Sequence, residues 1–150
     1  MRTKLLPALI LPLSLLAAAC SYTPPSNPQY GNQAWLSISA MTGIKDPAIN
    51  GAAIARYFEK GRYAINIQLN VDAASKGKVY YVWVEKIGTT EREGLGELQS
   101  PTGDVRHVLA FNSEKDLREF ASVLVTVQDE GKTAFPGDPV ARGTLEIPKK

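Results

Sequence analysis

Residues 63–71 alternate without a break. Tyr63, Ile65, Ile67, Leu69 and Val71 fall on one side, and Ala64, Asn66, Gln68 and Asn70 on the other. A period of two belongs to an extended strand, whose successive side chains point to opposite faces. The segment reads as a strand with one face buried and one facing water.

The remaining apolar runs fit the same scheme. Leu36, Ile38 and Ala40 alternate with Ser37 and Ser39. Residues 79–87 are more uniformly apolar, which predicts a central strand covered on both sides. Residues 105–111, 123–127 and 143–147 follow, with fainter patterns at 52–58 and 94–98. Glu59-Lys60-Gly61, Lys76-Gly77, Thr102-Gly103-Asp104 and Glu130-Gly131 supply turn chemistry between them. One short helical turn is predicted from Ser113, with Ser113 as cap and Asp116 reciprocating. Strands at regular spacing without strand–helix alternation predict an all-β fold, an immunoglobulin-like β-sandwich of about seven or eight strands. Trp83, on the central strand, is expected to plug the space between the sheets.

The N-terminus reads as an export signal. Arg2 and Lys4 precede an apolar run from Leu5 to Ala19, which ends in Ala17-Ala18-Ala19 before Cys20, the sole cysteine. A basic stretch, an apolar stretch and small residues form the anatomy of a secretory signal peptide. As a helix, Leu5–Ala19 would rise only about 22 Å, short of a bilayer core of about 30 Å, and Pro7 and Pro12 would interrupt it. Ser21 to Gln33 is rich in Pro, Ser, Asn and Gln, as an extended polar tether would be. The expected organisation is a signal peptide over 1–19, a tether over 20–33 and one β-sandwich domain over 34–150.

Cysteine directly after small residues resembles the signal of bacterial lipoproteins, although Ala17 stands where that family usually has Leu. The resemblance implies cleavage before Cys20 and its acylation with palmitate-type chains. It implies a protein lipid-anchored to a membrane outside the cytoplasm. Ser21, not Asp, follows the cysteine, which by the same resemblance implies the outer membrane in a Gram-negative cell. With Cys20 acylated, no thiol remains for a disulfide or a cysteine metal site.

Without Arg2 and Lys4 the 17 basic residues fall to 15, against 15 acidic ones. A near-neutral chain with mixed signs has no electrostatic footprint for nucleic acid.

A second resemblance rests on order and spacing across Trp35 to Ile147. Val79-Tyr80-Tyr81-Val82-Trp83-Val84 resembles the Tyr-x-Leu-Trp strand of the extracytoplasmic C-terminal domain of anti-sigma-K factors. Gly51-Ala52-Ala53 resembles that domain's start, and Gly94-Leu95-Gly96-Glu97-Leu98 its glycine-led short strand. Val123-Leu124-Val125-Thr126-Val127-Gln128-Asp129-Glu130-Gly131 resembles its Val-Thr-Val-Glu-Pro-x-Gly-Gly segment, with Gln128-Asp129 in place of Glu-Pro. Pro136, Pro139 and Gly143 resemble the closing loop and final strand. The resemblance implies a β-sandwich with a sensing or contact role. It carries no sigma-factor binding, because the lipid signal and tether stand where that family has its cytoplasmic domain.

The residues that carry chemistry are sparse. His107 is the only histidine and lies in phase with Val105, Leu109 and Phe111, as an ordinary strand residue would. Ser100 and Asp104 are near in sequence, but no nucleophile motif surrounds any serine. One histidine and no free thiol leave a zinc site to carboxylates. Asp129, Glu130 and Asp138 lack the spacing of a calcium loop. Tyr57, Tyr63, Tyr80 and Tyr81 line a glycan or peptide groove if exposed together, and serve as packing if buried. The expectation is a lipoprotein with no catalytic residues, no cofactor and no metal, anchored through Cys20. Its expected partner is an envelope protein, with a small ligand or glycan as the alternative.

Overall fold

A computed structural model describes residues 26–149. The expected signal peptide and Cys20 lie outside those residues. Nine strands and no helix are present among them: β1 (Ser26–Asn27), β2 (Gly31–Gly43), β3 (Asn50–Phe58), β4 (Arg62–Asn70), β5 (Lys78–Glu85), β6 (Arg92–Glu97), β7 (Arg106–Ser113), β8 (Ser122–Asp129) and β9 (Asp138–Thr144). All pairings are antiparallel, in the order β6-β5-β8-β9-β2-β3-β4-β7, with β1 added to β2.

The sheet folds over on itself. Ile65, Ile67 and Leu69 of β4 share one core with Val82 and Val84 of β5 and Val123 and Val125 of β8. The half β2-β3-β4-β7 thus covers the half β6-β5-β8-β9. A single bridge between Gln99 and Val108 brings the far edges together, so the sandwich is nearly a closed barrel. The expected all-β architecture is present, and the alternating run at 63–71 is the inner and outer face of β4.

At the other seam, β2 and β9 share only the pairs Thr42–Arg142 and Gly43–Ala141. The Ile44 N–H continues the seam to the Val140 carbonyl at 2.9 Å on one side, and on the other, side chains replace the ladder. The Ser39 hydroxyl accepts the Thr144 N–H at 2.8 Å, and the Ser37 hydroxyl accepts the Glu146 N–H at 2.8 Å. Both serines are buried. Buried polar groups need partners, and these two have them. The consequence reverses hydropathy: the serines of β2 face inward, while Leu36, Ile38 and Ala40 face out.

Several expectations need correction. Trp83 does not lie between the sheets. Val82 and Val84 occupy the core, and strand alternation puts Trp83 on the outer face of β5. It is nevertheless only 4% exposed, so β5 is covered on both sides as expected. The tether does not extend to Gln33: β1 and the start of β2 already pair from Ser26 onward. Asn27-Pro28-Gln29-Tyr30 is a turn, with the Asn27 side chain accepting the Gln29 and Tyr30 N–H groups. Asn at the first position and Pro at the second are its sequence signature. The Tyr30 ring packs 6.0 Å from Phe58, with the Arg62 guanidinium 5.0 Å above it.

The last strand is Asp138–Thr144 rather than 143–147. Pro139 suggests a loop, but it sits at a register shift opposite Thr126, where no ladder N–H is required. The helical turn at Ser113 does not form. Ser113 Oγ accepts the Lys115 N–H, and the Asp116 carboxylate is engaged by Arg118 instead of returning to Ser113.

Tyr63 is fully buried and stacks on Trp35 at 6.5 Å. Its hydroxyl has no hydrogen-bond partner among the described residues, and burial, reinforced by the Asp116 charge, pushes its pKa far up. A buried unpaired hydroxyl costs about 1–3 kcal/mol. Tyr63→Phe is therefore expected to raise the thermal unfolding temperature, and a fall in that temperature would show the hydroxyl to be satisfied in solution.

Candidate functional site

The reversal of β2 creates an unusual surface. On the outer side of β2-β3-β4-β7, cross-strand neighbours form the rows Ile38–Ile54–Asn66–Ala110 and Ala40–Ala52–Gln68–Val108. Most of this floor is apolar and short, with Ile38 62% and Leu36 42% exposed. The alanines make a depression of about 680 Å³ between the longer side chains. Four strands about 4.8 Å apart and the two apolar rows along them span roughly 250 Å², rimmed by the more polar rows that begin at Leu36 and Thr42. The flanking rows bring Arg56 on one side and Arg106 on the other. No carboxylate stands in any of the four rows.

Sequence reasoning missed this face. The signal for it was available in the alternation of Leu36, Ile38 and Ala40 with two serines, but its orientation is set by the N–H groups of Thr144 and Glu146, over a hundred residues away.

The residues singled out from sequence do not converge. His107 is buried on the inner side of β7. Its Nδ1 lies 3.1 Å from the Val105 carbonyl oxygen, and its ring meets Tyr80 edge-on at 5.3 Å. Ser100 and His107 line the same 310 Å³ hollow at the β6–β7 seam, but the Ser100 hydroxyl donates to the Asp104 carbonyl at 2.8 Å. No carboxylate is hydrogen-bonded to His107 among the described residues. The relay of nucleophile, base and orienting acid is not assembled.

The four tyrosines are dispersed. Tyr57 and Tyr63 pair across β3 and β4 at one end of the molecule. Arg118 caps the Tyr57 ring at 3.9 Å. Tyr80 and Tyr81 point to opposite faces of β5; the Tyr80 hydroxyl donates to the Asp72 carbonyl, and Tyr81 packs 5.0 Å from Trp83. No shared aromatic groove results.

Asp129 is likewise committed. Its two oxygens receive Lys78 Nζ at 2.6 Å and Lys132 Nζ at 2.7 Å. Hydrogen bonds from Lys132 and Lys78 hold its carboxyl at about 2. A depressed pKa stabilises the fold above the ordinary carboxyl range and stops doing so as pH falls through the folded value. The stability difference between the wild type and Asp129→Asn is thus expected to be constant above about pH 5 and to vanish towards about pH 1. Urea melts across that range would check it, and a difference that persists at about pH 1 would rule the ion cluster out as its source.

Fold and face together define a class: an all-β sandwich with an exposed, partly apolar sheet face. Protein-family models, curated proteins and solved structures were compared with the chain, and none matches it.

Proposed function

We propose that this chain is a non-catalytic interaction module, a cell-envelope lipoprotein held to its membrane through acylated Cys20. The observation that carries the reading is the exposed apolar face around Ile38. An envelope protein with an apolar centre and an acidic rim fits it, because Arg56 and Arg106 flank the face and nothing there repels carboxylates. A second copy of the chain fits less well, since it would bring the same cations. The contact or sensing role implied by the resemblance to anti-sigma-K outer domains agrees with this reading and adds no sigma factor.

The alternative is a small-ligand or glycan-binding lipoprotein. The 680 Å³ depression favours it, being within the range of small-molecule sites. Few polar groups on the apolar floor besides Asn66 and Gln68 would orient a polar ligand.

Photo-crosslinking from position 38 of the full-length chain in its native envelope separates the two. One specific protein adduct, lost in Cys20→Ser, is the expected result. Absence of any protein adduct, with glycan or small molecules co-purifying, would favour the alternative.

A further inference from the structure

A different surface lies at the opposite end of the strands from β1. There the loop between β8 and β9, residues 130–137, carries Phe135 at 81% exposure, the most exposed large apolar side chain among the described residues. Such exposure usually accompanies a loose loop, but this one is tied down at its base. The Gln128 side chain is buried on the outer face of β8. Its amide nitrogen donates to the Lys132 carbonyl, and its oxygen accepts the Gly137 N–H at 3.2 Å. That oxygen also accepts the Thr126 hydroxyl at 2.9 Å, which in turn accepts the Trp83 indole N–H at 3.2 Å.

One buried amide thus clamps both ends of the loop, and a chain of hydrogen bonds orients the amide. Gly137 permits the approach: a Cβ there would lie 2.3 Å from the Val127 carbonyl oxygen. The Lys132–Asp129 pair adds a third tie.

We infer that the β8–β9 loop is a second contact site, in which Phe135, carried on a loop whose backbone is clamped at Lys132 and Gly137, enters an apolar pocket on a protein partner. Binding energy at interfaces concentrates in few aromatic anchors. Holding the loop backbone before encounter lowers the ordering cost of binding. Ile44 and Val105, also exposed, sit in neighbouring loops at the same end.

A bilayer is the less favoured occupant. The four loops at this end carry Lys45, Lys76 and Lys132 against Asp46, Asp72, Asp104 and Glu130. They offer no basic excess for anionic lipid, and a single inserted ring anchors only marginally. The inference does not rest on the apolar sheet face or on Cys20.

The test places a photoreactive phenylalanine at position 135 of the full-length chain in its native envelope. The adduct is identified, and the purified partner is titrated with variants. Phe135→Ala is expected to weaken binding at least tenfold with unfolding temperature unchanged, and Phe135→Leu to recover part of the loss. Gln128→Ala, which keeps Phe135 but frees the loop, is expected to weaken binding too, with faster hydrogen exchange at the Gly137 amide. Ile38→Lys is expected to leave this contact intact. No protein adduct from position 135, or full affinity in Phe135→Ala, would overturn the inference. So would loss of the contact in Ile38→Lys, or Phe135-dependent sedimentation with vesicles of phosphatidylethanolamine and phosphatidylglycerol.

Discussion

Trp83→Ala is expected to lower the unfolding free energy by about 3–5 kcal/mol, the usual cost of truncating a buried aromatic. The side chain is not in the central core, yet it is 4% exposed. Its ring packs on Tyr81 and lies against Gly94, where a Cβ would come within 3.2 Å of the indole. Its N–H also satisfies the fully buried Thr126 hydroxyl. Truncation therefore opens a hole and removes a donor from a buried acceptor together. Small domains hold only about 5–15 kcal/mol in total, so the variant would sit near the limit of folding. Trp83→Phe separates the two contributions, since it keeps most of the ring and loses only the hydrogen bond, at about 1 kcal/mol. Urea melts of both variants give the comparison; a loss below about 1 kcal/mol for the alanine variant would mean that the outer face of β5 repacks around the gap.

Ile38→Lys carries the largest expected effect on binding. The residue is 62% exposed on a strand, so lysine is tolerated in the free protein and stability should stay within about 0.5 kcal/mol. In a complex, the isoleucine would contribute about 1.5–3 kcal/mol by burial. An ammonium in its place would add the cost of its own desolvation. Since 1.4 kcal/mol is a factor of ten, affinity for the partner crosslinked at position 38 is expected to fall roughly 10- to 100-fold or more. Ile87→Lys, equally exposed but in the β5–β6 loop, is the matched control and should change nothing. Equal loss in both variants would point to general charge repulsion and not to a contact at this face.

What was legible in the sequence follows from where the determining forces act. The strand at 63–71 could be read because its burial depends on its own alternation. The central strand was legible for the same reason, since Val82, Trp83 and Val84 in succession have no polar side to present. Which face Trp83 takes was not legible, because it depends on register with β8, where Thr126 waits for its N–H. The outward turn of Leu36 and Ile38 was hidden for a related reason: Ser37 and Ser39 are drawn inward by two distant backbone donors. The loop at 130–137 looked like turn chemistry alone, and the buried Gln128 that organises it is indistinguishable in sequence from a solvated glutamine.

The seam between β2 and β9 also decides how the molecule carries load. β1 and the start of β2 lie at one end of the strands, and the β8–β9 loop lies at the other. Tension between the N-terminus and that loop must cross from β2 to β9, along the strands. It meets two backbone pairs, the Ile44–Val140 backbone bond and two hydroxyl-accepted bonds there, against eight residue pairs between β4 and β7. Sliding along the strands strains those few bonds together instead of unzipping them singly. A thinly paired line of the sandwich is thus loaded in its strongest direction, and a sideways pull on the C-terminal segment would find the same line far easier to part.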